Sequence, residues 1–235
     1  MVVKFMKKLG LIGGMGPEST IPYYHDIVYG VQERLKDSNF PLLTIESVNV
    51  FDVLKYCANE KYDELVEYLL KAINNVKNAG ADFAALSANT PHIVFDELQK
   101  KSPIPLLSII DALYDDVKKQ NMKKVGLLGT CFTMEGEFFK KKFIENNIEI
   151  IIPDRDERKY INDKISKELE FGIVKQETLK AFMKIIENMI SEDKIEGFIL
   201  GCTELPLLFK GVELPIPALD TMQIHIKAIV DYMIN

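Results

Sequence analysis

Short apolar runs alternate along the chain with longer stretches in which apolar residues recur every three or four positions. Runs rich in β-branched residues predict buried strands, whereas the stretch 60–79 places its apolar residues on one helical face. The predicted strands cover residues 8–14, 42–50, 83–86, 103–106, 125–130, 148–152 and 198–200. The predicted helices cover residues 60–79, 91–100, 109–120, 138–144, 156–169, 176–190 and 221–233. This alternation predicts an α/β fold whose sheets are mostly parallel and flanked by helices.

Three motifs of the first half of the chain return in the same order in the second half. The paired segments are 9–14 with 125–130, 88–90 with 202–204, and 103–105 with 215–217, at nearly equal offsets. A repeat of this kind predicts two copies of one α/β unit, related by pseudo-symmetry and packed closely. We expect residues 1–110 plus 218–235, which include the C-terminal helix, to form the first domain. Residues 111–217 are expected to form the second.

The composition limits the classes of partner. With 47% hydrophobic and 27% charged residues, the 235-residue chain has an ordinary balance for a soluble protein of one large or two smaller domains. Its net charge of −6 argues against nucleic acid or an anionic membrane as a partner. Three sparse cysteines and three histidines predict free thiols in a reducing cytoplasm, without disulfides or structural zinc. Residues 1–8 lack the apolar region of a signal peptide, and no apolar run has the length of a membrane span.

The turn at 201–204, Gly-Cys-Thr-Glu, is the main candidate for chemistry. It follows the apolar run 198–200, and open α/β sheets bind ligands beyond the carboxyl ends of their strands. Gly201 is expected to permit a sharp turn and to leave room for a ligand. Thr203 and Glu204 are expected to open a short helix. A thiol beside free amides at a helix start can have a lowered pKa, so we expect Cys202 to be a usable base or nucleophile.

The corresponding turn of the first half is Ala88-Asn89-Thr90. If the two copies face each other, this turn lines one wall of a cleft and residues 202–204 line the other. Amide, hydroxyl and backbone N–H groups suit a small ligand that carries carboxylates. Inversion of a carbon centre needs one group that takes a proton and another that returns it from the opposite face. Such a cleft is therefore suited to inversion.

Four motifs resemble those of the aspartate/glutamate racemases, and together they extend over nearly the whole chain. They are Gly13-Gly14-Met15-Gly16-Pro17-Glu18-Ser19-Thr20, Asn89-Thr90-Pro91-His92, Gly126-Leu127-Leu128-Gly129-Thr130 and Gly201-Cys202-Thr203-Glu204. The glycine stretch near the start is most similar to the aspartate racemase branch. The resemblance implies an amino-acid racemase without cofactor or metal, usually a homodimer, with the substrate between two pseudo-symmetric domains. It also implies two cysteine bases, one in each domain.

The resemblance assigns roles to individual positions. Lys164 lies in a helix resembling the one that supplies a lysine to the side-chain carboxylate of the substrate; without the resemblance it is equally a solvated helix lysine. The positions that match contacts to the α-carboxylate or amine are Asn89, Thr90, Thr130 and Thr203. The full substrate-binding set is Met15, Asn89, Thr90, Thr130, Thr133, Lys164, Cys202, Thr203 and Glu204. The expected substrate is aspartate, glutamate or both.

Position 88 departs from the family pattern, which is Cys-Asn-Thr where this chain has Ala-Asn-Thr. An alanine methyl group cannot carry a proton, so the two-thiol mechanism is not available as written. The expected catalytic positions are Cys202, Ala88 as the place of the missing second cysteine, and Thr90.

Four interpretations of Ala88 stay open. Ser87, Thr90 or Cys131 is the second acid/base, or the enzyme uses one base, as decarboxylases of the superfamily do with one cysteine. Alternatively, the alanine is a deliberate replacement of cysteine that traps substrate, or the protein binds an acidic amino acid without turning it over.

Several other polar side chains have structural interpretations. His92 near a helix start either orients the turn or takes part in catalysis. His225 is expected to be a packed, hydrogen-bonded histidine, and Cys57 a core residue. Glu18 and Glu204 are expected to stabilise helix starts through the helix dipole, and Glu204 also to orient groups around the thiol.

Overall fold

The computed structural model describes residues 6–36 and 39–235, without the side chains of Pro17 and Glu18. The helix-start role expected for Glu18 therefore lies outside the described side chains. The chain divides into two compact units, Met1–Ala112 with Met222–Asn235, and Leu113–Thr221.

Strands and helices alternate through both units. The strands are β1 (Leu9–Gly13), β2 (Leu43–Ser47), β3 (Phe83–Leu86), β4 (Leu106–Leu107), β5 (Lys124–Leu128), β6 (Glu149–Ile151), β7 (Gly197–Leu200) and β8 (Ala218–Asp220). The helices are α1 (Pro17–Leu35), α2 (Val50–Ala58), α3 (Tyr62–Asn78), α4 (Phe95–Lys101), α5 (Ile109–Lys119), α6 (Cys131–Glu135), α7 (Glu137–Glu145), α8 (Arg155–Lys167), α9 (Gln176–Asn188), α10 (Leu205–Leu208) and α11 (Thr221–Ile234). Short 3-10 turns cover Thr90–Val94 and Leu169–Phe171, and a π-helical turn covers Met189–Asp193.

The two sheets share one strand order. Within the described ranges it is β2-β1-β3-β4 in the first unit and β6-β5-β7-β8 in the second, with parallel pairing throughout. Strands β1, β3 and β7 are buried along their whole length, as expected for parallel strands covered by helices. The predicted α/β fold with parallel sheets is confirmed, and the shared order is what an internal repeat produces.

The two turns with candidate chemistry follow topologically equivalent strands. Strand β3 lies between β1 and β4, and β7 lies between β5 and β8. Ala88 and Cys202 both come two positions after the last residue of their strand. Each turn therefore lies at the carboxyl edge of its own sheet, the usual place for ligands in open α/β sheets.

The segment 42–50 differs from its predicted structure. Strand β2 ends at Ser47, and the Asn49 side chain caps helix α2 by accepting a hydrogen bond of 3.1 Å from the Phe51 N–H group. Because asparagine satisfies an amide that the first helical turn leaves free, the helix begins where the strand was expected to continue.

Prolines account for two further differences. Strand β4 pairs with β3 through Leu106–Leu107 only, because Pro103 and Pro105 have no N–H group to extend the ladder. Helix α1 has 19 residues and was missing from the predicted set, because Pro22 lies inside it. Proline ordinarily marks a helix start or a break.

The end of the chain is shared between the two units. Strand β8 pairs with β7 in the second sheet, although the sequence placed residues 218–235 in the first domain. Helix α11 packs in the first unit with α1, β1 and β3. The buried residues of this core are Leu9, Leu11, Tyr23, Ile27, Val31, Phe83, Ala85, Met222, Ile226, Ile229, Val230, Met233 and Ile234. In the part of the chain that the structure describes, no helix combines the length and apolar character needed to cross a membrane.

Candidate active site

The turn after β7 holds a thiol against a carboxylate. Cys202 Sγ donates a hydrogen bond to Glu204 Oε2 over 2.9 Å, and Thr203 Oγ1 donates to the same oxygen over 3.0 Å. Helix α10 begins directly after Glu204, and the Leu205 N–H group bonds to the Cys202 carbonyl at 3.2 Å. One carboxylate oxygen of Glu204 thus accepts hydrogen bonds from the side chains of both Cys202 and Thr203.

The pKa of Cys202 lies well above that of an ordinary thiol. Burial is the first cause, because it disfavours the charged thiolate, and the neighbouring Glu204 carboxylate is the second. The lowered pKa that we expected from the helix start is therefore wrong. Helix α10 has only four residues, and a full carboxylate charge beside the sulfur outweighs its partial charges. Cys202 rests as a thiol and needs a base to become a thiolate.

Gly201 serves packing and not ligand access. A methyl group at this position would lie 2.9 Å from Leu127 Cδ1 and 3.0 Å from the Leu128 carbonyl oxygen of strand β5. The space that the sequence suggested for a ligand is thus filled by the neighbouring strand. The same methyl would lie 3.3 Å from Thr133 Cγ2, so the turn after β5 is adjacent to the turn after β7.

The turn after β5 supplies two hydroxyl groups. Thr130 caps helix α6, since its Oγ1 accepts a hydrogen bond of 3.3 Å from the Thr133 N–H group. The two threonine hydroxyl oxygens lie 3.2 Å apart. Because Gly129 and Gly201 back onto each other, the structure brings Thr130 and Thr133 into one site with the Cys202 turn.

Cys131 turns away toward helix α8. Its N–H group donates to Asn162 Oδ1 over 2.9 Å, and its Sγ lies 3.6 Å from the Arg158 carbonyl oxygen. Burial and the nearby Glu135 carboxylate raise the pKa of the thiol. Cys131 is the first residue of α6, and its contacts link α6 to α8.

Lys164 is held by a buried carboxylate that the sequence analysis missed. Its Nζ lies 2.7 Å from Glu168 Oε1, the side chain of Lys175 lies 3.1 Å from the same oxygen, and Thr178 donates to Oε2 over 2.6 Å. These donors lower the pKa of Glu168 to about 2. The signal in the sequence was the spacing of Lys164 and Glu168 by four positions, which puts both on one face of a helix.

The turn after β3 is fixed by a neutral histidine. His92 Nδ1 lies 2.9 Å from the Ala88 carbonyl oxygen, and His92 Nε2 accepts a hydrogen bond of 3.2 Å from the Ile109 N–H group. The proton therefore sits on Nδ1, and both ring nitrogens are engaged. Burial lowers the pKa of His92 to about 4, and its ring stacks on Phe95. These contacts favour the orienting role for His92 over a catalytic one.

Ala88, Asn89 and Ser87 lie buried in this turn, and Thr90, partly exposed, begins the 3-10 turn. Among the described residues, Ser87 Oγ is a buried hydroxyl without a hydrogen-bond partner. Met15, the remaining residue of the predicted set, is buried in the loop between β1 and α1. It follows Gly14, whose φ of 80° and close approach to the Val48 carbonyl exclude a side chain there.

His225 and Cys57 are structural, as predicted. His225 Nδ1 lies 2.8 Å from the Tyr23 hydroxyl, and His225 Nε2 lies 3.2 Å from the Leu107 carbonyl oxygen. Burial lowers the pKa of His225 to about 3. Cys57 is a buried thiol, and burial raises its pKa to about 11. Across the described residues, no three His, Cys, Asp or Glu side chains cluster in a way that could hold a metal ion.

Two parallel four-stranded sheets flanked by helices define an α/β protein, and a hydrogen-bonded thiol–carboxylate pair lies at the end of one central strand. A family model for Asp/Glu/Hydantoin racemase matches residues 12–229. The chain therefore belongs to the Asp/Glu/hydantoin racemase family, which supports an isomerase of the racemase type.

Individual relatives agree with this assignment. The chain is 35% identical to a Yersinia pestis protein described as a candidate Asp/Glu racemase, with a TM-score of 0.92 over 98% of this chain and 100% of that one. It is 36% identical to an aspartate racemase homologue from Pyrococcus horikoshii OT3, with a TM-score of 0.86 over 96% and 98% of the two chains. It is 25% identical to the broad specificity amino-acid racemase RacX of Bacillus subtilis (strain 168), over 91% of this chain and 92% of that protein.

Proposed function

We propose that the protein is a cofactor-independent amino-acid racemase that acts on aspartate, glutamate or both by removing and returning the α-proton. The observation that carries the proposal is the hydrogen bond from Cys202 Sγ to Glu204 Oε2 at 2.9 Å, in a chain of the racemase family. A thiol that is protonated at rest and already bonded to a carboxylate is suited to cycle between acid and base.

The proton inventory of this side of the reaction balances. The Cys202 thiol passes its proton to Glu204, and the resulting thiolate takes the α-proton of the substrate. The carbanion left at the α-carbon then accepts a proton from a second donor on its other face. In the reverse direction, the Cys202 thiol donates its proton to the carbanion. After one turnover Glu204 holds one extra proton and the second donor lacks one, and proton exchange with water restores both groups. No oxidant or reductant is needed.

The second proton carrier is a group other than residue 88, since the methyl of Ala88 cannot exchange a proton. Ser87, Thr90 and Cys131 are the candidates named from the sequence. The contact of Cys131 Sγ with the Arg158 carbonyl oxygen disfavours it, and the unpartnered hydroxyl of Ser87 favours that residue as a donor or as the ligand of a bound water.

We assign substrate binding to the hydroxyl and amide groups of the turns at the strand ends. Thr130, Thr133 and Thr203 lie with Cys202 in one unit and supply donors for the α-carboxylate or amine. We assign the same role to Asn89 and Thr90 of the other turn, and a packing contact to Met15. Lys164 is assigned to the distal carboxylate, because its ammonium already holds a carboxylate oxygen at 2.7 Å.

Ala88 specifically favours two other functions, one-base chemistry and binding without turnover. An enzyme with one proton carrier exchanges or removes groups on one face of the α-carbon but does not invert it. A one-cysteine decarboxylase or lyase belongs to this class. A binding protein needs the threonines and Lys164 but no acid/base.

The test is incubation of the protein with L-aspartate or L-glutamate in deuterated water. Deuterium at the α-carbon is followed by NMR, and the D-enantiomer by chiral chromatography. Deuterium incorporation together with the D-enantiomer supports racemisation. Exchange without inversion supports one-base chemistry, binding without exchange supports the binding protein, and carbon dioxide release from a malonate analogue supports the decarboxylase.

Assembly and location form a separate proposal. We propose a cytoplasmic homodimer that takes a free amino acid from solution and binds neither nucleic acid nor membrane. The three free thiols and the net charge of −6 support a reducing compartment and a small-molecule substrate. Light scattering on the purified protein measures the mass: a particle of twice the 26.8 kDa chain supports the dimer, and one of a single chain refutes it.

A further inference from the structure

The buried carboxylate of Glu168 has more positive charge around it than it needs. Glu168 is 5% exposed, and both Lys164 and Lys175 bring their ammonium groups to its Oε1, at 2.7 and 3.1 Å. Thr178, which is fully buried, donates to the other oxygen. A buried carboxylate needs a counter-ion and hydrogen bonds, and one lysine with Thr178 supplies them. The second lysine therefore leaves this group of directly paired charges with one excess positive charge.

The excess charge is open to a ligand. The side chain of Lys164 is 19% exposed and that of Lys175 is 47% exposed, whereas Glu168 is covered. An ammonium has three N–H donors, so the Glu168 oxygen leaves Lys164 with donors for a second carboxylate. Besides Glu168, the carboxylate of exposed Glu177 also raises the pKa of Lys164, and its effect is the smallest of the charge effects on that pKa. A carboxylate from solution therefore meets the ammonium groups of Lys164 and Lys175. Glu168 holds these two groups in place but neutralises only one of their two positive charges.

The lysine pair and the Cys202 turn belong to the same unit and are connected through one short segment. The 3-10 turn Leu169–Phe171, directly after Glu168, packs against helix α10, which follows Glu204. Burial and the charge of Glu204 raise the pKa of Glu170 on this turn, and the charge of Glu170 in turn contributes to the raised pKa of Cys202. The charges of Glu204 and Glu170 both act on the thiol, and they repel a substrate that carries a distal carboxylate. Positive charge in the same unit is needed to offset this repulsion.

We propose that Lys175 is a specificity-determining residue, which keeps the lysine pair at Glu168 positively charged so that Lys164 is free to bind the distal carboxylate of an acidic amino acid. Lys175 holds Glu168 when Lys164 turns to the substrate, so the buried carboxylate is never left without a counter-ion. Lys164 is the residue that touches the substrate, and Lys175 acts through it. This inference rests on the proposed function, in that the ligand is an acidic amino acid.

The test compares Lys175→Met, Lys175→Arg and Lys167→Met. Lys167 is a matched control, because it is an exposed lysine of helix α8 that pairs with Asp163 and not with Glu168. Dissociation constants for aspartate, glutamate and alanine are measured by calorimetry or NMR titration, and turnover is measured separately. Lys175→Met is expected to weaken aspartate and glutamate by about three- to fivefold, the usual scale of a partly exposed charge, and to leave alanine unchanged. Lys175→Arg restores the affinity, and Lys167→Met does not alter it.

Equal losses for aspartate and alanine, or equal effects of Lys175→Met and Lys167→Met, overturn the inference. A thermal unfolding midpoint for each variant excludes loss of the fold as the cause. The two hypotheses fail in different ways. Racemisation of aspartate without any dependence on Lys175 refutes the inference alone. Lys175-dependent binding of aspartate without racemisation refutes the proposed function alone, and absence of binding to either acidic amino acid refutes both.

Discussion

Cys202 and Glu204 are joined by a hydrogen bond of 2.9 Å from thiol to carboxylate, two positions apart in the turn that ends β7. The carboxylate that accepts this hydrogen bond also raises the pKa of the thiol, and in the function proposed above it accepts the thiol proton. A resting thiolate would be a permanent charge in a buried turn. A thiol with an attached acceptor forms the charge only when a substrate proton is to be taken.

Replacing Glu204 with glutamine should lower turnover and lower the pKa of Cys202 at the same time. The amide keeps the shape of the side chain but cannot accept the proton, so turnover is expected to fall by about 10²-fold or more, the scale of one positioned acid/base. Loss of the negative charge makes the thiolate easier to form. The thiol pKa is measured from the pH dependence of alkylation, with Cys202→Ser as the control that removes the signal. A thiol pKa that rises, or unchanged turnover, contradicts the assigned role of Glu204.

Replacing Ala88 with cysteine should raise racemisation if no other side chain serves the second face. The expected gain is about 10²-fold or more, with little change in substrate affinity, because a methyl and a thiol are close in size. Cys202→Ser should abolish turnover in both backgrounds, since a serine hydroxyl is a far poorer base. The rate of enantiomer formation is followed by chiral chromatography. An active parent whose rate does not change on Ala88→Cys would show that the second proton carrier is a different residue, and Ser87→Ala and Cys131→Ala then identify it.

Lys164→Ala should weaken acidic ligands far more than neutral ligands of similar size. Its ammonium contributes a charge-assisted hydrogen bond to a carboxylate, which is roughly twice as strong as a neutral one. Dissociation constants for aspartate and alanine give the comparison, and Lys167→Ala on the same helix is the control. Equal losses for the two amino acids would make Lys164 a structural partner of Glu168 and nothing more.

The two buried histidines should make the first unit sensitive to acid. In the folded chain the pKa of His92 is about 4 and that of His225 about 3, against an ordinary value of 6.5. Below pH 6.5 these two histidines bind protons in the unfolded chain but stay neutral in the folded chain. The free energy of unfolding therefore falls as the pH drops toward 4. Each such proton changes it by about 1.4 kcal/mol per pH unit. The stabilisation from Glu168, whose pKa is lowered from 4.5 to about 2, is lost mostly below pH 4.5 and affects only the acid end of this window.

Urea unfolding between pH 4.5 and 6.5 measures this slope. His92→Gln should flatten it even if the variant is less stable at every pH, because one of the two proton uptakes is removed. His25→Gln is the matched control, since His25 is exposed on helix α1. A slope that His92→Gln and His25→Gln leave equally unchanged would refute the assignment of acid sensitivity to the buried ring.

The sequence by itself determined the features that depend on local pattern. Apolar runs such as 83–86 and 198–200 are buried strands because a parallel strand covered on both faces must be apolar at every position. The spacing of the repeated motifs placed Ala88 and Cys202 at equivalent strand ends, and the sheet orders agree with that placement. The parallel α/β class and the position of the thiol at the carboxyl end of a strand could therefore be predicted from hydrophobic periodicity and from the order of the repeated motifs.

Tertiary structure decided everything that depends on through-space neighbours. The raised pKa of Cys202 follows from burial and from where the Glu204 carboxylate points, and neither is encoded in the four-residue motif. Gly201 proved to be a packing glycine because strand β5 occupies the space beside it. Glu168 could not be singled out among the charged residues at the end of α8, since its two lysines and Thr178 come together only when the chain after the 3-10 turn folds back toward α8. Electrostatic effects depend on distance and on exclusion of water, which a linear pattern of residues does not specify.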